Sequence, residues 1–112
     1  MIVGVSDKLL MPYLEGKEYF NCSDEGEAVG IAIGYWLAKK ERATVFMSAD
    51  GFMNALNPLT SCVIPEGIEM NLVISVGRTE YQHRVATNML KPVLKLLEYD
   101  TTKINIELIE SK

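Results

Sequence analysis

The chain has 112 residues, of which 48% are hydrophobic and 23% charged, a balance that suits one compact domain with a modest core and leaves no room for two. Its net charge of -4 and the lack of any basic run argue against nucleic-acid binding, which draws affinity from clustered Lys and Arg. The uncharged stretch 28–38 is too short for a membrane span, which needs roughly 18 apolar residues.

The start, Met1-Ile2-Val3-Gly4-Val5, meets Asp7 and Lys8 without a basic n-region or a long apolar segment, so a cytoplasmic location is expected. Cys22 and Cys62 make no CxxC pair and no zinc spacing; free, buried thiols are expected. No internal repeat, low-complexity tract or linker interrupts the chain.

The segment 2–5 is a short apolar lead-in or strand. Asp7 caps a helix over 7–13, because its carboxylate can accept from orphan amides of the first turn, and Leu9, Leu10 and Tyr13 share the buried face. Tyr19-Phe20-Asn21-Cys22 predicts a strand, and Ser23-Asp24 supplies caps for a helix over 25–40. The run Ala43-Thr44-Val45-Phe46-Met47 is a short buried strand closed by Ser48-Ala49-Asp50-Gly51.

A helix is expected within 52–62, with Pro58 in its first turn, where a missing amide costs nothing, and a stop at Pro65-Glu66-Gly67. Residues 71–76 give another buried strand, and 77–80 a loop. Thr87 or Asn88 caps a helix to about 97 with Pro92 early in it; the alternation over 104–109 gives a closing, half-exposed strand. Alternating strands and helices imply an α/β fold: a single layered domain with a mostly parallel central sheet and helices on both faces.

Chemistry concentrates in Glu25-Gly26-Glu27-Ala28-Val29-Gly30-Ile31-Ala32-Ile33-Gly34-Tyr35. Three glycines four apart fall along one helix stripe and cost the helix about 1 kcal/mol each relative to Ala, so close packing of that stripe has to compensate. Glu25 and Glu27 lie in the first turn, where the helix dipole favours acids and where a solvated pair is the ordinary outcome. The two point about 200° apart around the helix, so only one can serve a given ligand atom; Glu27 is assigned to solvent or an interface.

This string resembles the Glu-Gly-x-Ala-x-x-x-Ala-x-Gly segment of thiamine diphosphate enzymes of the decarboxylase type, its first Glu matching Glu25. Further likeness runs through Gly4-Val5-Ser6-Asp7-Lys8-Leu9-Leu10-Met11-Pro12, the more specific Asn54-Ala55-Leu56-Asn57-Pro58-Leu59-Thr60-Ser61, and Gln82-His83. Together they are similar to the alpha subunit, the pyrimidine-binding half, of the sulfopyruvate and phosphonopyruvate decarboxylase family.

The resemblance implies that residues 1–112 form a pyrimidine-binding domain in which Glu25 hydrogen-bonds the aminopyrimidine ring nitrogen of thiamine diphosphate. It implies Gly51 and Asn54 beside the cofactor, and Gln82 and His83 on the substrate side. The substrate would be a short acidic 2-oxo acid. A separate beta-type subunit would bind the diphosphate and Mg2+, and the Gly26, Gly30 and Gly34 stripe would be the candidate surface for assembly with it or with a second copy.

Two departures stand out. Ser48-Ala49-Asp50-Gly51-Phe52-Met53 replaces the family's polar Gln-Asn-Ser-Gly-Leu-Gly, changing bulk and charge, and the loop before Gln82 is shorter. Asp50-Gly51 does not complete a Gly-Asp-Gly metal motif, since Ala49 stands in the first glycine position, so no metal ligand is expected on this chain. Asp50 is open to two readings: a loop residue near the pyrimidine, or an ordinary cap of the following helix. The competing function is a non-catalytic, diverged pyrimidine domain that assembles with or regulates another protein. A nucleotide-binding or redox domain is disfavoured, as neither GxGxxG nor CxxC is present, and no GxSxG elbow marks a hydrolase.

Overall fold

The computed structural model describes residues 1–77 and 81–110, with the side chains of 81 and 82 excepted. Five strands, β1 (Ile2–Gly4), β2 (Phe20–Asn21), β3 (Ala43–Ser48), β4 (Met70–Val76) and β5 (Ile104–Glu110), form one sheet in the order β2-β1-β3-β4-β5. Every pairing is parallel. The intervening helices are α1 (Met11–Leu14), α2 (Glu25–Lys39), α3 (Ala49–Pro58) and α4 (Tyr81–Leu96), with a π-helical stretch, Leu59–Val63, continuing α3.

Parallel strands buried on both faces read as apolar runs, and their side chains alternate between two cores. Val45 and Met47, with Leu72 and Ile74, join α2, α3 and α4 in the larger core, together with Val29, Phe52 and Leu90. Phe46 and Val73 point the other way and pack with Leu10 and Leu14 around α1. Helices therefore lie on both faces, three on one and a single short turn of helix on the other. Gly4 permits the tight approach of β1 to β3, since a Cβ there would stand 1.9 Å from the Phe46 carbonyl oxygen.

Several boundaries differ from expectation. The segment after Asp7 becomes regular helix only at Met11, although Asp7 Oδ1 does accept from the Leu10 amide at 3.0 Å and so closes the turn that leads in. Helix α3 starts at Ala49, not 52, because Ser48 caps it: its Oγ accepts from the Gly51 amide at 3.0 Å. Pro58 consequently ends α3 instead of opening it. A proline there gives the Asn54 carbonyl no amide partner four residues on, and the wider Leu59–Val63 turn, with the Ile64 amide on the Leu59 carbonyl at 3.0 Å, lets the chain continue past it.

Helix α4 begins at Tyr81, so Thr87 and Asn88 lie inside it and Pro92 sits in its body. The expected loop residues 78–80 lie outside the described residues. Cys22 and Cys62 are free, as expected, but half-buried instead of buried. No helix among the described residues is long and apolar enough to cross a membrane.

Candidate active site

The strand order reverses between β1 and β3, and in open parallel sheets ligands bind beyond the carboxyl ends of strands at such a switch point. Each chemically interesting side chain follows one of those ends: Glu25 comes after β2, Asp50, Gly51 and Asn54 after β3, and His83 after β4.

Asp24 starts α2, its carboxylate accepting from the Glu27 amide at 3.1 Å. That cap places Glu25 as the first residue of the helix, near the positive end of its dipole. Glu25 is only 8% exposed. Its Oε1 accepts from Asn54 Nδ2 at 3.0 Å, and Gly51 lies against its other oxygen, where a Cβ would stand 2.1 Å from Oε2. The arrangement is a carboxylate sunk between two helices, with one oxygen oriented by an amide.

Two glycines make this contact possible. A Cβ at Gly26 would stand 3.2 Å from the Asn54 carbonyl oxygen, the one released by Pro58, so α2 rides close to α3 at this point. Gly30 and Gly34 do not share that task. A Cβ at either would meet nothing within 4 Å, and both are exposed beside Ile31 and Leu37, which are 40% and 60% exposed. The stripe expected to pack as a unit is thus split, with one glycine used inside the chain and two facing outward.

Asp50 does not cap α3; Ser48 does. The Asp50 carboxylate instead turns to α4, where its Oδ2 lies 2.9 Å from His83 Nδ1. The changed bulk in this stretch goes elsewhere, because Phe52 is fully buried in the main core. Glu25, Gly51 and Asn54 lie together, and Asp50, the neighbour of Gly51 in sequence, makes the contact to His83. The side chain of Gln82 lies outside the described residues. Asp50 as the histidine's partner was missed in the sequence, where Asp-Gly after a strand reads as turn chemistry.

Glu27 is exposed and reaches back towards Ser23, with oxygens 3.4 Å from that residue's amide and hydroxyl, a reciprocal cap that fits its assignment to solvent. Burial first, and then the nearby Glu27 carboxylate, push the Cys22 thiol above its ordinary range. Behind the site, Ser75 donates to Asp7 Oδ2 at 2.7 Å, tying the turn after β1 to β4. Ser75 is 1% exposed; a serine inside an apolar strand was its only signal.

Among the described residues, no three His, Cys, Asp or Glu side chains gather as a metal site. The donor set at Glu25, a buried carboxylate braced by an amide and bordered by glycine, suits a single ring nitrogen that shares or donates a proton. No family model matches the chain, and no curated protein matches it.

Proposed function

We propose that this chain is the pyrimidine-binding subunit of a thiamine diphosphate-dependent decarboxylase acting on a short acidic 2-oxo acid, completed by a separate chain that binds the diphosphate and Mg2+. The observation that carries the reading is Glu25: a carboxylate 8% exposed at a helix start, with one oxygen on Asn54 and a glycine against the other.

Such a carboxylate has lost most of its water, so a hydrogen bond to a ring nitrogen is worth far more to it than in solution. Asn54 donates to Oε1 and so orients the carboxyl group without neutralising it. Gly51 lets the adjoining backbone lie flush against the other carboxylate oxygen. Glu25 then holds or moves a proton at that ring nitrogen. The cofactor, when bound, supplies the electron sink for carbon–carbon cleavage. The switch-point location supports a ligand site independently of the resemblance.

The test is affinity isolation of the tagged chain from its host, followed by assay of the recovered complex for thiamine diphosphate and Mg2+. A second chain together with bound cofactor is the expected result. Glu25→Gln should preserve that assembly, since a glutamine oxygen can still accept from Asn54, and should abolish exchange of the cofactor's C2 proton. Recovery of the chain without cofactor in any complex would instead favour a non-catalytic pyrimidine-domain protein, and undiminished exchange would remove Glu25 from the mechanism.

A further inference from the structure

Helix α4 is apolar on two sides. Its inner side carries Leu90, fully buried, with Val93, Leu94 and Leu97 packed against the main core. A second row, Val85, Met89, Pro92 and Leu96, recurs at steps of four, three and four residues and so lines up along the outer side. Val85 is 69% exposed, Met89 47% and Leu96 81%, and Pro92 is exposed with them. The row runs about 16 Å at the rise of an α-helix. Apolar residues exposed singly need no explanation, but four in one continuous row do.

The residue before each member of that row repeats at the same steps: Arg84, Asn88, Lys91 and Lys95. Successive residues stand about 100° apart around a helix, so this polar row runs beside the apolar one for its whole length. It holds three cations, and α4 has no Asp or Glu anywhere in its sequence, although the chain as a whole carries a net charge of -4. Lys91 reaches Glu110 at 2.8 Å, but both side chains are more than half exposed, and a surface pair of this kind exchanges for another carboxylate at little cost.

The two rows together decide between occupants. If α4 paired antiparallel with α4 of a second copy, like flanks would face each other and cations would meet cations. In a parallel pairing the cation row would meet the flank of Ala86 and Val93, where no acid receives it. An anionic membrane would accept the bases, but the row has no aromatic anchor and the net charge of the chain opposes such a surface. A helix from a different chain, apolar along one row and acidic along the next, satisfies both rows at once.

We propose that the outer face of α4 is the docking surface for such a helix of another protein, its apolar row packed on Val85, Met89, Pro92 and Leu96 and its carboxylates set along Arg84, Lys91 and Lys95. The apolar contacts supply most of the affinity, and the cations fix direction and register. The inference does not rest on the decarboxylase reading, because it concerns this surface whether or not the docked chain shares a cofactor.

The test starts from the complex isolated from the host through the tagged chain and treated with a carbodiimide, which joins an amine to a carboxylate only where the two touch. Lys91 or Lys95 should become joined to an Asp or Glu of a different polypeptide. Met89→Lys, a change at an exposed position, should leave the thermal midpoint of the isolated chain within a few degrees of wild type and lower recovery of that polypeptide by about tenfold or more. Lys95→Glu should lower it too, by a factor that shrinks as salt is raised. Failure of the coupling, or undiminished recovery with Met89→Lys, overturns the proposal. So does light scattering that shows the purified chain alone forming a dimer which Met89→Lys dissolves, since the row then belongs to a second copy. Binding to phosphatidylserine vesicles that Met89→Lys abolishes would likewise assign it to a membrane surface. Thiamine diphosphate is assayed separately in the same complex: a coupled polypeptide without cofactor removes the decarboxylase reading and leaves the docking surface standing.

Discussion

A Cβ on residue 51 would stand 2.1 Å from Glu25 Oε2 and 2.5 Å from its carboxyl carbon, closer than real Cβ atoms come to anything. Either the Glu25 side chain or the start of α3 has to move. Gly51→Ala should therefore cost about 1–3 kcal/mol, the range for overfilling a packed site, a loss that denaturant titration measures; on the proposed function it should also lower retention of thiamine diphosphate in the isolated complex. Cys22 yields a prediction of another kind. Its thiol is raised by burial and then by Glu27, so the thiolate is scarce at neutral pH and alkylation should be slower than for a free cysteine, accelerating only as pH rises past the usual thiol range. Mass spectrometry after timed iodoacetamide treatment measures this, and a rate equal to that of a free thiol would contradict the shift. At this scale the burial of Glu25 ran against its spacing, which suits a solvated acid, and only the resemblance singled it out, whereas the contact between Asp50 and His83 joins residues 33 apart and left no periodic trace.

Among the elements, the caps and prolines carry most of what sequence spacing did not resolve. Ser23-Asp24 marked the start of α2 correctly, and Asp24→Ala should cost about 1 kcal/mol, measurable by thermal unfolding. The start of α3 was hidden because Ala49-Asp50-Gly51 has turn composition; it is helical nonetheless, since Ser48 caps it and the glycine is packed against Glu25. Pro58 and Pro92 misled in the same way. One is accommodated by the wide turn that follows it, and the other sits in the body of α4, whose buried face, anchored by Leu90, outweighs the lost hydrogen bond. Pro92→Ala should stabilise α4 by up to about 3 kcal/mol, the usual handicap of an interior proline, and an unchanged midpoint would show that the missing hydrogen bond is compensated. The turn before β5 gives the pH prediction. Asp100 accepts from the Thr102 hydroxyl at 2.6 Å and its amide at 2.8 Å, and these bonds lower its carboxyl below the ordinary value. A carboxyl lowered in the fold stabilises it above the unfolded value and loses that contribution as pH falls through the folded one. Acid should therefore loosen this turn first, seen as faster exchange of the Lys103 and Ile104 amides, both of which donate to the Asp100 carbonyl.

For the whole molecule, the alternation of apolar strands with helical patterns made the parallel α/β architecture legible, because no other layer arrangement buries both faces of such strands. The unequal sharing of the two faces was not legible: it follows from the reversal of strand order at β1, which sends a single crossover to the α1 side. That smaller core depends heavily on Phe46, fully buried between Leu10 and Leu14 and set edge-to-face on Tyr19 with ring centres 5.6 Å apart. Phe46→Ala should cost about 3–5 kcal/mol, with an unchanged denaturant slope if unfolding remains all-or-none. The positions of Glu25, Gly51 and His83 at the entries to α2, α3 and α4 have a thermodynamic consequence. A ligand gripping all three would fasten three successive crossovers at once, so its binding energy would appear as protection of the entire domain, growing with the logarithm of ligand concentration, and not as the local ordering of one loop.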